Sequence, residues 1–374
     1  MEFYHGGDIY SQEILWDRSV NINPLGAPEG VREAVRRSAA VCERYPDSRC
    51  RGLTRKLARR HGVPEEAVLC GNGAADLLFQ MVFGERPRQG WLLAPTFSGY
   101  EQALAGGGAG VSYLTLRKEA HFRPDVQQLI GQLTVDLQDS CPLWQTAVPG
   151  DGGPGPGSLF LCNPNNPTGL ALERREMEAL AAFAEGAKIR LVVDECFLDF
   201  LEEPERYTMV PALERYPHMV VLKAFTKIYG MAGLRLGYCL TMDRGLIRAM
   251  ERVRQPWPVS LTAQMAGEAA LEEGAYLIKT RQVVRQGREQ LSEGLKALGF
   301  WVCPSQANYL LFQDLRPGAE DGRLGRALLE QKLLLRSCRD YHGLDGSYYR
   351  TCVGLKEEND HLLAMLRRLY RPLS

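Results

Sequence analysis

No C-x-x-C pair and no H-x-x-x-H or other ligand spacing occurs among the ten cysteines and six histidines of this chain. That argues against a structural metal, and the scattered cysteines read as reduced, mostly buried thiols of a cytoplasmic protein. Charge of one sign is also lacking: 45 basic residues against 45 acidic ones give a formal net charge of zero. Such a balance offers no electrostatic footprint for nucleic acid or for an acidic membrane. No apolar run is long enough to span a bilayer. The opening MEFYHGGDIY lacks the basic-then-apolar order of a signal peptide, and the few residues ahead of the first element leave no room for a helix-turn-helix. No internal repeat is visible.

What is present is length and alternation. A chain of 374 residues, 45% of them apolar, exceeds one ordinary core, so a large domain plus a smaller one is expected. SLFLC (158–162), LVVDE (191–195) and MVVLKAF (219–225) read as buried strands, and Glu173 to Glu185 reads as a helix between two of them. This alternation predicts an α/β domain with a mostly parallel sheet, whose functional groups lie at the carboxyl ends of the strands. The last hundred residues mix helical stretches (Tyr276 to Leu298, Arg323 to Leu333) with short strands, NYLLF (308–312) and YYRTCV (348–353). They predict a smaller α+β part. Residues 45–265 are assigned to the large domain, and 1–44 with 266–374 to the small one. Residues 136–157 end in PGDGGPGPG, which holds neither a helix nor a central strand. They read as a surface loop, with an active-site lid as the alternative.

The stretch VVLKAFTKIYGMAGLRLGY (220–238) carries the chemistry. Lys227 comes after a strand-like run, and Arg235 stands eight residues later. A lysine in a cleft can form a Schiff base with an aldehyde cofactor, and an arginine nearby can neutralise that cofactor's phosphate. Other motifs fall into order with it: GNGAAD (71–76), PTFSGY (95–100), NPNNPTG (163–169) and DECFLDF (194–200). Singly these read as a helix start, core packing, a turn and a capping acid. Their joint order is left unexplained by those plain readings.

That order resembles the fold-type I pyridoxal-phosphate enzymes, the aspartate aminotransferase superfamily, over nearly the whole chain. The resemblance implies pyridoxal 5'-phosphate as cofactor and a homodimer with shared active sites. It implies that Lys227 carries the cofactor, that Asp194 pairs with its ring nitrogen, and that Asn166 bonds its ring hydroxyl. Phe97 would stack on the ring. Gly73, Ala74 and Arg235 would form the phosphate cup, with Thr226 in support and Tyr45 of RYPD reaching over from the neighbouring subunit. Arg350 would hold the substrate's α-carboxylate.

Within the superfamily, HGGDIY, NINPLGAP (21–28), Phe197 and LLLRSCRDYHGLDGSYYR (333–350) are similar to the branch that decarboxylates threonine phosphate for cobalamin biosynthesis. The substrate so implied is a small phosphorylated amino acid. Arg336 would bind its phosphate, with His5, Gly6, Gly7 and Asn23 closing the site. Serine phosphate is a near alternative, and an aminotransferase of the histidinol-phosphate or aromatic type is a further one. Three departures stand out. Ala224 and the Ala74–Ala75 pair lack the hydroxyls common in relatives, and acids stand at Asp8 and Asp340 beside Arg339. Those acids are expected to pair with Arg336 or Arg339, or to signal another substrate.

Overall fold

The computed structural model describes residues 6–139 and 157–370. A seven-stranded sheet runs in the order Val68–Gly71, Gly237–Leu240, Met219–Ala224, Arg190–Asp194, Ser158–Cys162, Gln89–Ala94, Gly110–Thr115. Gly237–Leu240 runs antiparallel to both of its neighbours, and the remaining pairings are parallel. The fold is the expected α/β type, with a mostly parallel sheet.

Side chains alternate between the two faces of each strand. Leu159, Leu161, Leu191, Val193, Met219 and Val221 join the core on one face. Phe160, Cys162, Val192, Val220 and Leu222 join the core on the other. Burial on both faces is why these runs read as continuous apolar segments rather than as alternating ones. Helices fill the connections, including Ala74–Glu85, Gly99–Gly106 and Arg174–Gly186. The segments PTF, NPNN, FTK and the turn after Asp194 all leave the sheet at its carboxyl edge.

A second, antiparallel sheet has the order Arg336–Ser337, Tyr348–Cys352, Tyr309–Gln313, Trp301–Val302. The long helix Gly274–Ala297 and the helix Lys356–Tyr370 accompany it. Trp16–Asp17, near the amino end, pairs in parallel with Leu333–Leu334, so the arm is tied to the carboxyl-terminal part of the chain.

Two sequence expectations need correction. The helix expected over Arg323 to Leu333 ends at Glu330. Lys332 then takes a left-handed backbone (φ 61°), and Leu333–Leu334 becomes a strand. The leucine run keeps helical spacing and so hides the break, which pairing with Trp16–Asp17 imposes. The irregular segment is expected from the sequence to begin at Asp136, but the helix Val126–Asp139 continues through it. The Pro/Gly cluster itself lies outside the described residues, as does His5. No helix of the described residues is long and apolar enough to cross a membrane.

Candidate active site

Lys227 lies on a single helical turn, Phe225–Ile228, directly after the strand Met219–Ala224. Among the described residues its amine has no ion pair or hydrogen bond; its nearest aromatic face is Phe197, 6.0 Å from the ring centroid. Burial, then the Arg350 guanidinium, lowers its pKa to about 8. Lys223, four residues earlier, differs. It is buried with Glu195 at 3.2 Å and Asp199 at 3.8 Å. Burial disfavours its charge, but the two carboxylates outweigh burial and raise its pKa. Lys223 is therefore held as a cation within an ion cluster, and Lys227 is the amine available for reaction.

The turn that carries Lys227 is clasped by Asn23. Its backbone N–H donates to the Lys227 carbonyl at 3.1 Å. Its side-chain nitrogen donates to the Ile228 carbonyl at 2.7 Å and to Thr280 Oγ1 at 2.8 Å, and its Oδ1 accepts from Leu25 N–H at 3.0 Å. Both amide hydrogens are thus spent on protein. Where the sequence led to a contact with substrate, the structure places the side-chain donors of Asn23 on the turn that carries the lysine and on Thr280.

Asp194 ends the strand Arg190–Asp194 and is 9% exposed. Tyr100 OH donates to its Oδ2 at 2.6 Å, and Cys196 N–H donates to its Oδ1 at 2.9 Å. Tyr100 also meets Phe97 edge to face, with centroids 5.4 Å apart. Sequence reasoning gives Tyr100, the last residue of PTFSGY, no role. Its place, one helical turn past Phe97, is the signal that could have found it.

NPNNPTG divides its asparagines. Asn163 exchanges bonds with Leu172, donating from Nδ2 at 2.9 Å and accepting at Oδ1 at 2.8 Å. Asn165 donates to the Pro95 carbonyl at 3.0 Å and accepts from Thr96 Oγ1 at 2.9 Å. Only Asn166 turns to the charged groups. Its Oδ1 accepts from Arg350 Nη1 and, at 3.3 Å, from Tyr341 OH.

Arg350 is 6% exposed, and no carboxylate among the described residues pairs with it. Nη1 also reaches Tyr341 OH at 3.3 Å, and Nη2 donates to the Ser19 carbonyl at 2.7 Å. The buried Nε has no partner among the described residues. Nε and the second Nη2 hydrogen are the donors left over. Arg336 is the cross-strand partner of Arg350 in the antiparallel pair. Like charges directly opposite each other destabilise a sheet. Arg336 relieves part of this by an ion pair with Asp340 at 2.6 Å, and it donates to the Ser337 carbonyl at 2.6 Å. Asp8 does not join them. It caps its own turn, accepting from Ser11 Oγ at 2.6 Å. Gly7 N–H donates to Ser19 Oγ at 2.7 Å, and a Cβ on Gly6 would fall 2.5 Å from the Ser19 carbonyl. The glycines therefore lie against the residue that holds Arg350.

Gly73 has φ 87°, and the helix Ala74–Glu85 starts immediately after it. A Cβ on Gly73 would lie 2.8 Å from Arg235 Nη2. Arg235 donates to the Ala232 carbonyl at 3.1 Å and has no acidic partner among the described residues. Sequence reasoning missed Gly237: a Cβ there would meet Ala74 N at 2.5 Å and Gly73 C at 2.8 Å. Its place in RLGY, facing the glycine turn, is the only clue. Thr226 is buried beside Lys227. Tyr45 is 78% exposed, and its ring stacks on Trp257 at 4.5 Å. A cavity of about 370 Å³ is lined by Phe97, Glu101, Tyr113, Arg339, Asp340 and Tyr341, among others.

These residues fit pyridoxal phosphate. An open glycine and a helix start lie beneath a guanidinium that lacks an acid, which suits a phosphate. An amine without a partner and an oriented carboxylate suit the carbonyl and the ring nitrogen. The model of the family described as aminotransferase class I and II matches residues 15–366. The chain belongs to that family. It is therefore a pyridoxal-phosphate enzyme. Among curated relatives, it is similar to the threonine-phosphate decarboxylase of Salmonella typhimurium, 38% identical over 98% of this chain and 96% of the relative. Solved structures share the fold. The histidinol-phosphate aminotransferase from Clostridium acetobutylicum has a TM-score of 0.83 at 23% identity, covering 95% of this chain and 99% of that one. The enzyme of the same name from Sinorhizobium meliloti, in complex with pyridoxal-5'-phosphate, has a TM-score of 0.80 at 21% identity, covering 96% and 93%.

Proposed function

We propose that this chain decarboxylates L-threonine O-3-phosphate to (R)-1-aminopropan-2-yl phosphate and CO2 for cobalamin biosynthesis, as a cytoplasmic homodimer. The observation that carries this reading is the pair Arg336 and Arg350. They face each other across one antiparallel ladder, and among the described residues only Arg336 has an acidic partner. Two adjacent guanidinium groups suit one small molecule with two anionic ends. The relative named threonine-phosphate decarboxylase, matched over nearly the full length, supports the same substrate.

Bound pyridoxal phosphate supplies an electron sink for the bond broken at Cα. Gly73, the Ala74 N–H and Arg235 would hold its phosphate, Asp194 its ring nitrogen and Phe97 its ring face. Asn166 Nδ2, which has no acceptor among the described residues, would donate to its ring oxygen. The chain does the rest by placement. Arg350 offers Nε and Nη2 to the substrate carboxylate. Arg336, next to it, takes the phosphate, sharing itself with Asp340. Lys227, its pKa lowered to about 8, would present a neutral amine to the cofactor's carbonyl and, once protonated, would give that proton to Cα. Tyr45, exposed on this chain, would reach the phosphate of the partner copy.

The test is a panel of threonine phosphate, serine phosphate and histidinol phosphate, each with and without a keto acid. CO2 release from threonine phosphate without a keto acid is the expected result. Turnover of histidinol phosphate that requires a keto acid, with no CO2 from either phospho-amino acid, refutes the reading in favour of an aminotransferase.

A further inference from the structure

Tyr341 occupies the place between the two arginines, and the pyridoxal-phosphate mechanism leaves it without a task. It is 5% exposed. Its hydroxyl accepts from Arg350 Nη1 at 3.3 Å and donates to Asn166 Oδ1 at 3.3 Å. Its ring faces Arg336, with the guanidinium carbon 5.2 Å from the centroid. It also lines the cavity that Phe97 borders. One side chain therefore touches both guanidinium groups and the asparagine assigned to the cofactor ring.

We infer that Tyr341 is a positioning residue that fixes which bond at the substrate Cα is broken, an inference that rests on the decarboxylase reading. The donors of Arg350 can be counted. Nη1 gives its hydrogens to Asn166 and Tyr341, and Nη2 gives one to Ser19. Nε remains, buried and without a partner, with the second Nη2 hydrogen. The hydroxyl of Tyr341 thus keeps Nη1 turned away from substrate and leaves one edge of the guanidinium for the carboxylate. A carboxylate held on a single edge has one orientation. The bond that breaks is the one perpendicular to the cofactor ring, because only its electrons overlap the ring's π-system. When the carboxylate stands there, its bond to Cα breaks, CO2 departs and the electron pair at Cα takes a proton. Were Cα–H to stand there, that proton would be lost instead, the electron pair would be taken up with a proton at the cofactor's carbonyl carbon, and water would replace nitrogen at Cα, releasing a keto acid and leaving the amino group on the cofactor. Freeing Nη1 lets the carboxylate slide between edges and admits the second course.

Two substitutions separate the contacts. Tyr341→Phe keeps the ring against Arg336 and removes the hydroxyl from Arg350. Tyr341→Leu removes both. The first measurement is calorimetric binding to the cofactor-free protein of threonine phosphate, threonine and the phosphorylated amino alcohol. Loss of a hydrogen bond to a charged group is expected to weaken threonine phosphate and threonine about 10-fold in Tyr341→Phe, with the carboxylate-free amino alcohol unchanged. Tyr341→Leu is expected to weaken all three. The second measurement, on the holoenzyme, is the ratio of CO2 released to keto acid formed per turnover. It is expected to fall at least several-fold in Tyr341→Phe. Unchanged binding together with an unchanged ratio in a folded Tyr341→Phe protein overturns the inference and leaves the decarboxylase reading standing. If the wild-type protein releases no CO2 at all, that reading fails, and the binding comparison alone decides Tyr341: a loss confined to carboxylate-bearing ligands supports it, and an equal loss on all three refutes it.

Discussion

Gly237→Ala is expected to weaken cofactor binding along with the fold. The added Cβ would lie 2.5 Å from Ala74 N, 2.8 Å from Gly73 C and 3.0 Å from the Lys223 carbonyl. All three are backbone atoms, so no side chain can rotate away. Gly237 cannot retreat either, because it pairs with Gly71 on one side and Ala224 on the other. Restoring ordinary contact requires the start of the helix Ala74–Glu85 to move by roughly 1 Å. Overpacking of this kind costs about 1–3 kcal/mol of stability. The same shift would carry the Gly73–Ala74 N–H groups away from the phosphate they are proposed to hold. Hydrogen bonds to charged groups contribute about 1.5–3 kcal/mol, so loss of one weakens cofactor binding about 10- to 100-fold. The assay is titration of pyridoxal phosphate into cofactor-free protein, followed by absorbance, alongside thermal melting. Gly131→Ala is the control. It lies in the helix Val126–Asp139, and its Cβ meets nothing within 4 Å. That change is expected to stabilise by about 0.5–1 kcal/mol without altering cofactor affinity. A Gly237→Ala protein that binds the cofactor as tightly as the wild type would show that this helix start does not hold the phosphate.

Lys227→Ala is expected to abolish turnover and the covalent cofactor link trapped by borohydride, and labelling of Lys223 instead would contradict the assignment. In the wild-type protein the rate of cofactor capture is expected to rise as pH passes through about 8, because the attacking form is the neutral amine. The Arg350 guanidinium adds to burial in lowering that value, so Arg350→Gln is expected to move the inflection upward; an unmoved inflection would mean that Arg350 does not act on the amine. Arg336→Ala strands the Asp340 carboxylate, which is paired at 2.6 Å, so the informative variant is Arg336→Ala with Asp340→Asn. It is expected to cost roughly 2–5 kcal/mol in kcat/KM on threonine phosphate and far less on threonine, and equal losses on both would show that Arg336 does not read the phosphate. Tyr45 and Trp257 form an exposed stacked pair; sedimentation is expected to give a dimer, and a stable monomer with full cofactor affinity would contradict the shared site.

The sequence alone determined the central strands and the polar motifs at their carboxyl ends. SLFLC, LVVD and MVVLKA are short apolar runs between turn signals, which suits central strands buried on both faces, and the motifs at their ends are set by local chain order. Short spacing therefore carried Lys227, Asp194, Asn166 and Arg235 to the same edge. It also marked Arg336 and Arg350 as candidates, yet could not say that they face one another, because antiparallel register depends on the whole turn between them. Nor could it tell which polar groups are already spent. Asn23 reads in the sequence as a substrate ligand, but its donors go to Ile228 and Thr280, the latter 257 residues away. The support of Asp194 by Tyr100 and the crowding of Gly237 against Ala74 are of the same kind. Each is a contact between segments distant in sequence or fixed by register. A hydrogen-bonding group reads the same in a sequence whether it is free or satisfied, and only packing decides which.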